Sequence, residues 1–359
     1  MKVLVIGDTH FSDTYKGYLN AQLRCIGDLI RSSKPGVIVF LGDIFHHRNP
    51  SVETLVRVWS FFEHDIGKLV PGLKKIYILR GNHDSASKSD DGTSVLETFV
   101  FDSSKASFIP FSDVDFDLSF AFIPHYENEA TVISDLKGLS KHNSQFENVD
   151  IVFGHFGYEG CINSGPYFDF KVKKEDLKKR TILGHIHKYS KDGNVTILGT
   201  PYSTNFGECD YPHYVGELEM LEDGSWSELK LITVDHGPRY YVCHINHLEQ
   251  LKSEISDPKY FTVLRVLLDK FSDETTNDLR GQILNDYNVG YVDLKFQPML
   301  DKKLDNRISN YQPVNNIEVL TSEIIDKYLD ESASFIPKEL LRIGLEEINT
   351  YENTKTDSP

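Results

Sequence analysis

Residues 3–10 read Val3-Leu4-Val5-Ile6-Gly7-Asp8-Thr9-His10: an apolar, mostly β-branched run stops at a glycine and is followed at once by a carboxylate and an imidazole. A short unbroken apolar run fits a strand buried on both faces, and a glycine lets the chain turn sharply off its end. The pattern returns along the chain. Val37 to Leu41 leads into Gly42-Asp43, Ile76 to Leu79 into Gly81-Asn82-His83-Asp84, Ile151 to Phe153 into Gly154-His155, and Thr181 to Leu183 into Gly184-His185-Ile186-His187. Helical spacing lies between the early runs. Leu19, Leu23, Ile26 and Ile30 share one face, and Ser51 is placed to cap a helix carrying Leu55, Val56, Val58, Trp59 and Phe62. Strands alternating with helices predict an α/β core, in which ligands bind beyond the carboxyl ends of the strands. Five loops far apart in sequence should therefore meet in one cleft.

The residues those loops bring are Asp8, His10, Asp43, Asn82, His155, His185 and His187. Mixed imidazole and carboxylate donors suit Mn, Fe or Zn, where an all-oxygen set would favour Mg or Ca. Seven such positions are enough for two cations. An open pair about 3.5 to 4 Å apart, bridged by one carboxylate, readies a water and steadies both the attacking and the leaving oxygen of a phosphoryl displacement. Any one of these motifs is weak alone; five in series point to phosphoester hydrolysis. The histidines outside the motif loops, His64, His125, His142, His213, His236, His244 and His247, are read as structural, with His125 nearest the cleft because it follows the strand-like Phe120-Ala121-Phe122-Ile123-Pro124.

Bulk properties bound the rest. The 359 residues exceed what one core usually holds, and 40% hydrophobic with 26% charged residues is ordinary for a soluble protein. No apolar run approaches the ~20 residues of a membrane span, and Val3 to Ile6 is too short for a signal-peptide core, so a cytoplasmic location is expected. Cys25, Cys161, Cys209 and Cys243 form no CxxC pair and read as reduced, buried thiols. The net charge of -16 sits awkwardly with a nucleic-acid substrate, although bound cations would supply positive charge of their own. Charge is also uneven: residues 316 to 359 carry ten acids against four bases, whereas Lys171, Lys173, Lys174, Lys178, Lys179 and Arg180, against Glu175 and Asp176, form a basic run. From Gly237 the pattern becomes β (239–245), α (246–256), β (261–268), α (273–286), β (290–297), without further metal-type motifs. We divide the chain into a catalytic domain (1–235), a smaller α+β cap (236–300), a linker (301–316), a short helical pair (317–351) and a disordered tail (352–359).

In series, D-x-H, GD, GNHD, GH and GHxH resemble the calcineurin-like metallophosphoesterase family, which implies a two-sheet sandwich flanked by helices. The resemblance implies that Asp8, His10, Asp43 and His187 hold one metal and Asp43, Asn82, His155 and His185 the other, with Asp43 bridging. It leaves His83 for acid–base work, with Asp84 placed to orient it. Gly42-Asp43-Ile44-Phe45-His46 and Gly199-Thr200-Pro201 are similar to loops of the SbcD type, the DNA repair nucleases of bacteria and large phages related to the eukaryotic Mre-eleven protein. That likeness adds His46 as an assisting residue. It implies two Mn2+ ions (Mg2+ or Fe being compatible), exonuclease action on duplex DNA ends and endonuclease action on hairpins and single strands. It also implies a cap that shapes the DNA-binding face, and location in the cytoplasm, or in the host cytoplasm for a phage protein. The helical pair would bind the coiled-coil base of an SbcC-type, SMC-like ATPase, in keeping with the lack of a GxxxxGK[ST] loop. Homodimerisation would use residues 51–66 and 93–102, with Val56, Trp59, Leu96 and Phe99 as candidate contacts; packing of the same side chains against the protomer's own sheet is the equal alternative. Two alternatives stay open: a phosphodiesterase or phosphatase acting on nucleotides or phosphoproteins, and a scaffold subunit whose catalytic core has decayed.

Overall fold

A computed structural model describes residues 1–89, 92–99, 101, 105–138, 149–161, 170–268 and 273–296; the expected linker, helical pair and tail, and His142, lie outside them. The chain first lays down four parallel strands, β1 (Lys2–Ile6), β2 (Val37–Phe40), β3 (Lys75–Leu79) and β4 (Ala106–Ile109). A second sheet follows, built from β5 (Asp113–Asp115), β6 (Phe120–Ile123), β7 (Ile151–Gly154), β8 (Arg180–Leu183), β9 (Ser190–Asp192) and β10 (Val195–Ile197). Its order is β5-β6-β7-β8-β10-β9, parallel through the middle and antiparallel at both edges. The chain then returns to the first sheet as β11 (Tyr214–Glu219) and β12 (Lys230–Thr233), antiparallel beside β1. Last come β13 (Gly237–His244), β14 (Tyr260–Leu268) and β15 (Tyr291–Phe296), a separate sheet of three parallel strands.

The unbroken apolar runs are explained by the layers. Val3, Val5, Val37, Val39, Tyr77 and Leu79 point from the first sheet onto Phe120, Phe122, Ile151, Phe153 and Ile182 of the second. The intervening residues Leu4, Ile6, Ile38, Phe40, Ile76 and Ile78 face the other way, onto helices α1 (Tyr18–Ser33) and α2 (Val52–Ser60). On the far side of the second sheet, Ala121, Ile123 and Val152 share a core with Val132 and Leu136 of α4 (Glu129–Gly138). The result is the expected α/β sandwich, two six-stranded sheets flanked by helices. Ser51 caps α2 as expected, accepting from the Thr54 amide at 3.1 Å. Beyond α2 the chain passes through a wide π-type turn (Phe61–Asp65) into the short α3 (Ile66–Leu69). The strands β13 to β15 are joined by α5 (Lys252–Ile255) and α6 (Asp273–Asp286), in the β-α-β-α-β order expected.

Two of the expected dimer contacts have another role. Leu96 and Phe99 are buried in the first-sheet core, Phe99 edge-on to Phe45, and Trp59 packs partly against the same cluster. On α2, by contrast, Val52 and Val56 are 75% and 56% exposed. All four cysteines are free thiols, Cys209 half-buried and the others buried. Among the described residues no helix is long and apolar enough to cross a membrane.

Candidate metal centre

The polar motifs all leave the carboxyl ends of strands: Asp8 and His10 follow β1, Asp43 follows β2, Asn82 and His83 follow β3, His155 follows β7, and His185 and His187 follow β8. Three of these residues take the left-handed backbone region, His10 (φ 44°), Asp43 (φ 46°) and His185 (φ 78°). Non-glycine residues adopt it at a cost, and such strain collects at functional sites. It is held in place by cross-loop bonds. His10 donates its amide to the Asp43 carbonyl at 2.9 Å, the His185 amide donates to Asp8 Oδ2 at 2.8 Å, and the His83 amide donates to Asp43 Oδ1 at 2.8 Å. Each carboxylate thus fixes a neighbouring loop while facing the cleft. The approach is close enough that a Cβ on Gly81 would lie 2.1 Å from the Asp43 nitrogen.

Three overlapping ligand-competent trios result among the described residues: Asp8 with His10 and His187, Asp43 with His155 and His185, and, between these, His10 with Asp43 and His83. Asp43 faces the first two: its Oδ2 lies 3.7 Å from His10 Nε2 and its Oδ1 lies 3.4 Å from His155 Nε2. Asn82 Oδ1 completes the second trio, 3.1 Å from His155 Nε2 and 2.9 Å from His185 Nδ1. In the first, His10 Nε2 and His187 Nε2 approach to 3.0 Å. Two imidazole lone pairs repel at that distance unless a proton or a cation lies between them. Asp8 Oδ1 is buried without a hydrogen-bond partner among the described residues, an unmet acceptor of the kind a cation satisfies. The donor set fits a pair of divalent ions.

The charges on these groups follow from crowding. Burial, with the Asp43 charge adding to it, lifts the Asp8 carboxyl to about 7 despite the opposing pull of His155. Burial works to raise Asp43 as well, but His155, His10 and His83 hold it well below the usual carboxylate range. Burial would depress His155; Asp43 and Asp8 overcome it and hold that imidazole at about 9. His10 and His185 go the other way, pushed down by burial and then by neighbouring imidazoles, His185 to about 3.

His83 and His46 stand on the side of the first trio, their rings stacked at 6.2 Å and each edge-on to His10. His83 Nδ1 donates to the His46 carbonyl at 2.6 Å. The expected support of His83 by Asp84 is replaced by this bond. Asp84 is fully buried and accepts instead from the backbone amides of Gly81 at 2.9 Å, Ile44 at 3.2 Å and Phe45 at 3.1 Å, clamping the β2 and β3 loops together.

Two neighbours of the centre lie outside the ligand motifs. His125, read as structural, lines the cleft with its ring 5.8 Å from that of His185 and 6.1 Å from that of His155. Glu208, which no motif marks, accepts from His187 Nδ1 at 2.5 Å. A carboxylate in that position fixes the tautomer and direction of a ligating imidazole. The Gly199-Thr200-Pro201 turn braces the same loop, the Thr200 amide donating to the His187 carbonyl at 3.1 Å. His213 bonds Thr200 and Ser203, the structural role expected of it. The basic run starts at the rim, since the Phe170 ring next to Lys171 lies 6.0 Å from that of His185.

A sequence profile described as calcineurin-like phosphoesterase matches residues 1–189, more than half of the 359. The chain belongs to the calcineurin-like phosphoesterase family. No match to a curated protein was found. As a calcineurin-like phosphoesterase it is a metal-dependent hydrolase that works with divalent ions. The phosphoesterase match ends just past His187, so Glu208 and the three-stranded sheet lie outside it.

Proposed function

We propose that this phosphoesterase is an Mn2+-dependent DNA nuclease, the nuclease subunit of an SbcCD-type complex for double-strand-break repair and recombination. Asp8, His10, Asp43 and His187 would hold one ion and Asp43, Asn82, His155 and His185 the other; such a pair would supply Lewis acidity to the scissile phosphate and to an attacking water. His83 supplies the proton. With Nδ1 committed to the His46 carbonyl, Nε2 is left to donate to the departing 3′-oxygen, and His46 stacks beside it to fix the ring.

The observation that supports this reading is the His46–His83 pair: the Gly42-Asp43-Ile44-Phe45-His46 loop, similar in sequence to that of the SbcD type, sets His46 beside the proposed proton donor. The three-stranded sheet acts as a cap for a long substrate, and the basic run from Lys171 to Arg180 contacts its phosphates. The chain acts in the cytoplasm as a homodimer through the exposed face of α2, together with an SbcC-type ATPase. The test uses end-labelled duplex and hairpin DNA in Mn2+ and in Mg2+, with and without an SMC-like ATPase. Cleavage in Mn2+ is expected, lost in His83→Asn while Mn2+ uptake persists. Hydrolysis of a small aryl phosphodiester with every DNA substrate left intact would turn the reading to a nucleotide or phosphoprotein phosphoesterase.

A further inference from the structure

Glu208 belongs to a single 3-10 turn, Phe206–Glu208, that stands between the first trio and the three-stranded sheet. Its carboxylate is buried and accepts from His187 Nδ1, from the Thr204 amide at 2.7 Å, from the Thr204 hydroxyl at 2.9 Å and from Asn205 Nδ2. Those bonds tie Glu208 to His187 and to its own loop, and Phe206 reaches across to the sheet. Its ring lies 3.8 Å from the Arg265 guanidinium carbon and meets Tyr240 edge-on at 4.8 Å. Arg265 is on β14 and is fixed by Asp293 on β15, Nε to Oδ2 at 2.6 Å; Tyr240 is on β13. All three strands of the sheet therefore contribute to the clamp on a turn whose next polar side chain holds an imidazole of the metal centre.

We infer that Phe206, Arg265 and Tyr240 are positioning residues for the cation site of Asp8, His10 and His187, acting through Glu208. The inference rests on the proposed role of His187 as a ligand. Hydrogen bonds to Thr204 and Asn205 set the local geometry of the turn, and the Phe206 ring anchors it to the sheet. When the clamp is released, Glu208 Oε1 leaves His187 Nδ1, and the imidazole loses the partner that sets its direction and its basicity. The first site feels this most directly, because Asn82 and His155 of the second sit on other loops, His155 donating from Nδ1 to the Leu41 carbonyl. Linkage works in reverse as well: whatever binds the sheet and displaces Arg265 alters ion affinity at this site, and ion binding alters affinity for that ligand by the same factor.

The experiment titrates the full chain with Mn2+, following free Mn2+ by electron paramagnetic resonance, in the parent and in Glu208→Gln, Phe206→Ala, Arg265→Met and Arg265→Lys. Two ions are expected in the parent. Glu208→Gln should weaken one of them by about ten- to hundredfold. Arg265→Met should weaken the same one by roughly two- to thirtyfold, the range over which a cation–aromatic contact acts, and Arg265→Lys should restore part of it. The second ion should be weakened less than the first throughout. Arg265→Met with parental thermal stability and two parental affinities would overturn the inference, and so would equal weakening of both ions. Arg265→Met keeps the test open should Phe206→Ala not fold. A parent chain that takes up no Mn2+ would instead overturn the ligand roles on which the inference rests.

Discussion

Ion uptake by this centre must expel protons, and the number follows from the geometry. To act as a ligand, His155 needs the Nε2 lone pair, since its Nδ1 donates to the Leu41 carbonyl at 2.8 Å. In the ion-free protein that lone pair carries a proton: burial opposes it, but Asp43 and Asp8 hold the group at about 9. The proton sits where the cation belongs, between Asp43 Oδ1 and Asn82 Oδ1. At pH 7 it competes with the ion by about a hundredfold, at pH 8 by about tenfold, and above pH 9 hardly at all. Asp8, lifted to about 7 chiefly by burial, is half-protonated at pH 7 and adds roughly another half proton. His10 and His185 are already neutral, because burial has pushed them down, and release nothing.

His187 adds to this: burial opposes its protonation, but Glu208 raises it above the ordinary imidazole range. The expected release at pH 7 is therefore at least about one and a half protons per chain, with ion affinity rising as pH increases from 7 to 9. Raised groups are protonated below their folded-state value and must be emptied for binding, so the sign is gain of affinity with rising pH. Titration calorimetry with Mn2+ in two buffers of different ionisation enthalpy reads the proton count directly. Uptake at pH 7 with no proton released, together with an affinity that is flat between pH 7 and 9, would refute the argument: His155 would then be neutral beforehand or not a ligand.

Asp84→Asn should lower unfolding free energy by about 1 to 3 kcal/mol, because the amide leaves one backbone N–H of the β2–β3 clamp facing a donor; an unchanged urea midpoint would exclude the clamp. Leu96→Ala should cost about 2 to 5 kcal/mol in the same assay, as truncations in a packed core do. A near-neutral result there would return Leu96 to an intermolecular role. Val56→Asp, on the exposed face of α2, should leave stability within about 0.5 kcal/mol while converting the proposed dimer to a monomer in sedimentation. A parent chain that already sediments as a monomer would remove that proposal.

The motif loops were legible because two requirements coincide at each of them. A doubly buried strand demands an unbroken apolar run, and a turn tight enough to bring a ligand back over the strand end demands glycine, so fold and chemistry mark the same residues. His125 carries half of that mark: Phe120 to Ile123 is such a run, but it ends in Pro124 rather than glycine. Only the parallel register of β6 on β7, Ile123 beside Gly154, brings the following residue against His155. Asp84 misled for a local reason. Neighbours in a tight turn project in different directions, and while His83 looks into the cleft its neighbour turns back onto three amides. Leu96 and Phe99 take the inward one of the two roles open to them because the segment is a 3-10 turn, Val95–Thr98, whose spacing sends both side chains inward. Glu208 carries no ligand motif: Thr204 and Asn205 hold its carboxylate within its own loop, and only the fold brings His187 to it. Groups that touch a cation are constrained by the chemistry of the cation and repeat as motifs. The groups that aim them need only meet the right neighbour, which any segment of the fold can supply.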